Sequence, residues 1–306
     1  MIKYNFQINK ERCFAYWIQA MTKWNWYFDE KEFKYYKNIA GNFDYKENEL
    51  LEKFKKQILK REPDGGYLWL WDRYSGKQIV NSEDQKLWVL LEKQFSKKFN
   101  VIWEKESYKL LKWKEMLKDY DFNKRNNFFV KIEKFFGKTL NQTINVELCL
   151  EYNKNSPSGH VKKEFDNLIL LNISNLKDEL IDKIINTLVH ETSHLLDYSS
   201  GKEELLKKSY LKIINPKGIK QKKPSWKHLI TESIITSIAG VDFSDDEENL
   251  KKFDYENNKN NYSYQIKSVA YRLRDLIKDY LDNNKEMDQS FADAVVKTWL
   301  DFRIKS

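Results

Sequence analysis

Glycine and proline interrupt helices and turn strands, and this chain has few of either: nine Gly and four Pro among 306 residues. A many-stranded β-barrel needs turn residues roughly every 8–12 positions, so that architecture lacks its punctuation here. Collagen-like and Pro/Gly-rich low-complexity chains are excluded on the same count. Long uninterrupted segments with apolar residues three and four apart remain, and they predict helices. Phe14, Trp17, Ile18 and Met21 form one such stripe, and Leu50, Leu51, Phe54, Ile58 and Leu59 another. The spacing resumes at Leu87, Leu90, Leu91 and Phe95 and again through Leu110, Leu111, Met116 and Leu117. Between them, turn signals at Pro63–Gly66 and Tyr74–Lys77 bracket a short predicted hairpin.

The texture changes after Gly137. Residues 143–150 alternate with period two and read as a strand, Ser156-Pro157-Ser158-Gly159 as a loop, and 167–173 as a second strand. A helix is predicted from Lys177 to Tyr198. A second follows Pro224, N-capped by Ser225 and ending at Ala239-Gly240. The acidic run Ser244–Glu248 reads as an exposed connection, and helical spacing returns over 264–281 and 290–302. The expected fold is therefore α+β and predominantly helical. Residues 1–130 form a helical, aromatic-rich, basic N-terminal domain, and 131–306 a domain with a small sheet and several helices.

Composition narrows the partners. Hydrophobic residues make up 41% of the chain, enough for a packed core, and eight of the ten tryptophans fall in residues 1–130, where core packing between helices accounts for them. The net charge of +8 is also concentrated there, with 26 Lys and Arg against 19 Asp and Glu. Those lysines alternate with acids, as in Glu52-Lys53-Phe54-Lys55-Lys56, which is the pattern of solvated amphipathic helices and argues against nucleic acid as a partner. No apolar run approaches the length of a membrane span and the first residues do not resemble a secretory signal, so a cytoplasmic protein with no membrane partner is expected. Cys13 and Cys149 stand far apart in sequence and fit neither a disulfide framework nor a cysteine zinc site.

The chemistry is concentrated in His190-Glu191-Thr192-Ser193-His194. On a helix, positions i and i+4 share a face about 6 Å apart along the axis, so both imidazoles can reach one ion. Glu191 sits about 100° around, beside that ion, where a carboxylate can relay a proton. A chain with four His and 25 Glu yields this pattern by chance only about 0.004 times. Imidazole and carboxylate donors favour a single Zn2+. A catalytic site needs a third ligand. The extended form of the motif would place His at 200 and Gly at 197, where Ser200 and Asp197 stand, so that form is excluded. Glu232, a carboxylate inside the apolar stretch Leu229–Ile235, is the leading candidate. His228, one turn before it, is a rival ligand or a donor to the transition state. Asp197 shares the stripe of both histidines and reads as a carboxylate orienting an imidazole. Glu203 and Glu204 are weaker candidates, since they follow the Ser199-Ser200-Gly201 break.

A strand pair, HExxH on a helix and Glu on a later helix resemble the gluzincin group of zinc metallopeptidases over about residues 140–300. The resemblance implies a zincin-like domain in which His190, His194 and Glu232 bind zinc and Glu191 is the general base. It also implies that the strand Leu168–Ile173, including Leu168, Leu170 and Asn172, lines the substrate cleft as an edge. A tyrosine on a later helix, matched best by Tyr264 with Tyr262 and Tyr271 as competitors, would stabilise the oxyanion. Thr236 stands where some members carry an acidic residue behind the ligands, a departure from the pattern. A weaker likeness to lethal-factor-like toxin proteases rests on Asp197, but Ser193 replaces their usual Gly. The expected activity is metal-assisted hydrolysis of a peptide or protein substrate. The alternative is a non-catalytic interaction module with a vestigial or structural zinc site.

Overall fold

Tyr4, Phe6 and Ile8 alternate with Lys3, Asn5 and Gln7, and this segment forms the first strand, β1 (Lys3–Ile8). In the computed structural model, which describes residues 2–23, 30–61, 82–150, 157–161, 167–173, 177–213, 226–239 and 261–305, the chain is mostly helical around one small mixed sheet. After β1 come α1 (Lys10–Met21), α2 (Glu30–Ala40), α3 (Tyr45–Arg61), α4 (Ser82–Asp119) and α5 (Asn126–Phe136). The strands β2 (Thr143–Cys149), β3 (Ser158–Val161) and β4 (Leu168–Asn172) follow. The chain then runs through α6 (Ile181–Ser200), α7 (Glu203–Ile213), α8 (Trp226–Ile238), α9 (Tyr262–Asp282) and α10 (Gln289–Lys305). The predicted hairpin, Ser225, the acidic run and Trp24, Trp26, Trp69 and Trp71 lie outside the described residues.

Local chemistry sets several helix ends. Asn9 accepts a hydrogen bond from the Arg12 N–H to open α1. Asp44 and Glu47 form a reciprocal box at the start of α3, each carboxylate accepting the other's N–H at 2.8 Å. α6 stops at Gly201, whose φ of 71° is the left-handed conformation that glycine adopts freely.

The strand order is β1-β2-β4-β3, with β1, β2 and β4 parallel and β3 antiparallel to β4. Three expectations change. Ser158 and Gly159 belong to a strand rather than to a loop, paired with Asn172 and Leu171. Leu168, Leu170 and Asn172 lie inside the sheet, because β3 covers β4, and among the described residues β3 is the edge on that side. A boundary at residue 130 would cut the sheet, since Lys3–Ile8 pairs with Thr143–Leu148. The buried apolar cluster likewise runs from Ile2 to Phe302 without a break at that point, with Trp17, Trp88 and Trp113 among its largest members.

The two sheet faces pack differently. Tyr4, Phe6, Val146, Leu148, Ile169, Leu171 and Gly159 share one face, which meets α6: the Tyr4 hydroxyl lies 2.8 Å from Thr192 Oγ1. Glu147, Leu170 and His160 share the other, which meets α1 through Arg12–Glu147 and a stacked Tyr16–His160 pair. Cys13 and Cys149 are buried free thiols on α1 and β2, and the interaction with the Cys13 thiol together with burial holds Cys149 well above the usual thiol range. Among the described residues no helix is long and apolar enough to cross a membrane.

Candidate metal centre

α6 buries Ile184, Ile185, Leu188, Leu195 and Leu196 and thereby fixes which face carries His190 and His194. α8 is apolar on most sides, burying Leu229, Ile230, Ile234, Ile235 and Ile238. Glu232 interrupts it facing α6. The three side chains converge: His190 Nε2 and His194 Nε2 are 3.2 Å apart, Glu232 Oε1 is 3.2 Å from His194 Nε2, and Glu232 Oε2 is 3.5 Å from His190 Nε2. Donors about 2.0–2.1 Å from one tetrahedral ion stand roughly 3.3 Å from each other. Glu232 meets the two imidazoles through different oxygens, and one donor atom from each residue lies within 4.8 Å of the other two, which puts all three within reach of a single divalent ion. Among the described residues this is the group of acid, imidazole or thiol donors close enough to hold a metal.

The electrostatics fit as well. Burial alone would raise Glu232, yet His194 and His190 hold it well below the usual carboxylate range. Burial alone would lower His194, and Glu232, with Asp197 behind it, raises it instead. Glu191 is 5% exposed, and burial pushes its carboxyl up to about 7, opposed by His190 and reinforced by the like charge of Glu232. Asp197 is raised to about 6, chiefly by burial. Three carboxylates thus crowd two imidazoles, an imbalance that a cation relieves.

The remaining candidates fall nearby but not equally. His228 Nδ1 is 3.6 Å from Glu232 Oε1, but its side chain is half-exposed and lies outside the three-donor group. The α9 tyrosine stacked on it is Tyr262, at 5.7 Å between rings, whereas Tyr264 packs against Ala270 and Tyr271. Of the three tyrosines, the competitor Tyr262 therefore has the contact closest to the centre. Asp197 acts on His194 through space, and the buried Nδ1 of His194 has no hydrogen-bond partner among the described residues. Thr236 is buried one turn beyond Glu232 on α8. Glu203 and Glu204 pair with Lys227 and Lys207 rather than joining the donors.

Sequence reasoning missed two residues of β3. Gly159 lies directly against Glu191. His160 beside it is pushed down to about 4 by burial, partly offset by Glu232, and so stays neutral. All four histidines of the chain therefore touch or feel the one carboxylate of Glu232. The signal available was scarcity: with only four His in 306 residues, His160 merited the same scrutiny as the other three. Comparison with known protein families, with curated proteins and with solved structures finds no match for the chain.

Proposed function

We propose that the chain is a zinc-dependent metallopeptidase of zincin-like build, with His190, His194 and Glu232 as ligands to one Zn2+ and Glu191 as general base. The observation that carries this reading is the convergence of two imidazoles and a carboxylate from two helices within metal-binding distance, with the buried carboxylate of Glu191 beside them. The chemistry a bound divalent ion supplies there is Lewis acidity, which acidifies a water and polarises a carbonyl. Glu191 takes a proton at its carboxylate oxygen and returns it to the leaving amine. Its carboxyl, buried beside the three donors, is placed for both halves of that task. Partly exposed His228, 3.6 Å from Glu232, stands as an N–H donor toward developing negative charge. An extended peptide is the substrate class suited to this site, because among the described residues β3 is a sheet edge to which a strand can add by main-chain hydrogen bonds.

The test is metal analysis joined to hydrolysis of a mixed peptide library. The purified chain should take up one zinc. Glu191→Gln should keep that zinc while peptide turnover falls about 10²–10⁴-fold, the usual worth of a positioned acid–base group. Full turnover in Glu191→Gln, or no zinc uptake by the wild type, would overturn the reading.

A further inference from the structure

β3 and α6 meet at one point where no side chain stands between them. A Cβ placed on Gly159 would lie 2.5 Å from Glu191 Cγ, 2.7 Å from Oε1 and 2.8 Å from Cδ. Those are the stem and head of the carboxylate arm, not a loose tip that could swing aside. Neither partner is free to retreat. Gly159 is paired with Leu171 inside the sheet, and its neighbour Ser158 accepts a hydrogen bond from Asn172 Nδ2 at 3.1 Å. Glu191 is buried on a helix that is also fastened to the same sheet face at β1 by the Tyr4–Thr192 hydrogen bond. Gly159 is ordinary strand backbone without a left-handed φ, so no backbone conformation calls for glycine at this position. What the site uses is the missing side chain.

We infer that Gly159 is the positioning residue that seats the Glu191 carboxylate beside the His190–His194–Glu232 group. The edge strand serves as the backstop of the proton-carrying arm, so the strand that would receive a peptide and the group that would act on it share one contact. The role of the carboxylate in turnover rests on the hydrolytic reading above, whereas the seating itself does not.

The test is a double-mutant cycle on the full chain with Gly159→Ala and Glu191→Ala, singly and combined. It is read by thermal unfolding of the metal-free protein, by zinc affinity, and by kcat and KM on a peptide the wild type cleaves. Gly159→Ala should lower kcat about 100-fold, the scale set by an ångström of misplacement, with KM and zinc Kd unchanged, and should lower the unfolding temperature. On the Glu191→Ala background, where every colliding atom is gone, the same alanine should cost nothing further in either unfolding temperature or residual turnover. Wild-type kcat in Gly159→Ala, or equal losses of unfolding temperature on both backgrounds, would overturn the inference. If Gly159→Ala alone does not fold, the combined variant decides: folding supports the seating and failure to fold refutes it. If zinc-loaded wild type cleaves no peptide, the hydrolytic reading falls, and the unfolding cycle still decides whether Gly159 seats Glu191.

Discussion

Two sets of buried carboxylates lie on opposite faces of the same sheet. On the α1 face, Glu147 meets Arg12, whose Nη2 donates to its Oε1 at 3.1 Å while Nε approaches Oε2. Burial pushes Glu147 up and Arg12 pulls it back. On the α6 face, burial dominates the shift of Glu191, with His190 opposing it and Glu232 adding to it, while His194 and Lys227 act against the burial of Asp197. The first set carries its cation in the chain. The second is a group of imidazole and carboxylate donors close enough to hold a metal ion, which is zinc in the function proposed above. One face thus holds an ion pair complete within the chain, and the other a group of donors that suits the proposed metal centre.

The largest effect that tests this contrast is removal of a donor. His194→Ala or Glu232→Ala should weaken zinc binding by more than about 100-fold, since even residues that merely orient a ligand are worth about 10–100-fold. Competition with a chelator measures it, and Glu147→Gln should leave zinc binding untouched. Retained affinity in Glu232→Ala would make the two carboxylate sets alike and break the comparison. Next in size is the other face. Arg12→Ala strands Glu147 in the interior and should lose about 3–5 kcal/mol of unfolding free energy, while Arg12→Met combined with Glu147→Leu should recover most of it. Urea unfolding reads both, and a loss well under 1 kcal/mol for Arg12→Ala would mean that water reaches Glu147.

The legible part of this molecule is the part written in local spacing. His190 and His194 needed only the four-residue repeat of a helix, and Glu232 stood out as a charge inside an apolar helix. β2 and β4 showed themselves by alternation. What stayed hidden depends on distant pairing. β3 is four residues long, and Ser158-Gly159-His160-Val161 offers no hydrophobic alternation, because Gly159 has no side chain to show and the opposite face carries the polar Ser158 and His160. β1 does alternate, but its partner lies about 140 positions away, so nothing local announces that the N-terminal segment completes the sheet. The Tyr4–Thr192 contact spans 188 positions and is invisible to any periodicity. For the same reason nothing local shows that the sheet pairing spans the division at residue 130. The change of texture after Gly137 is real, but it marks where the sheet is re-entered rather than where a second body begins.

The smallest of these effects concerns protons. In the metal-free protein Glu191 titrates near 7 rather than at 4.5, so between those values the folded state holds a proton that the unfolded state has released. Stability attributed to this group is therefore complete below about pH 4.5 and is lost as pH rises through 7. The full swing is on the order of 3 kcal/mol, from about 1.4 kcal/mol per pH unit of displacement. Glu191→Gln should match the wild type near pH 5 and exceed it at pH 8. Asp197 titrates in both proteins and cancels in the difference. Zinc should shrink the gap, because a cation beside Glu191 favours its charged form. Glu147, with its cation built in, should give a Gln variant whose penalty does not respond to zinc at any pH. Thermal unfolding at pH 5 and 8, with and without metal, measures all four combinations. A Glu191→Gln advantage that is equal at both pH values would show that the carboxylate is already satisfied in the empty site.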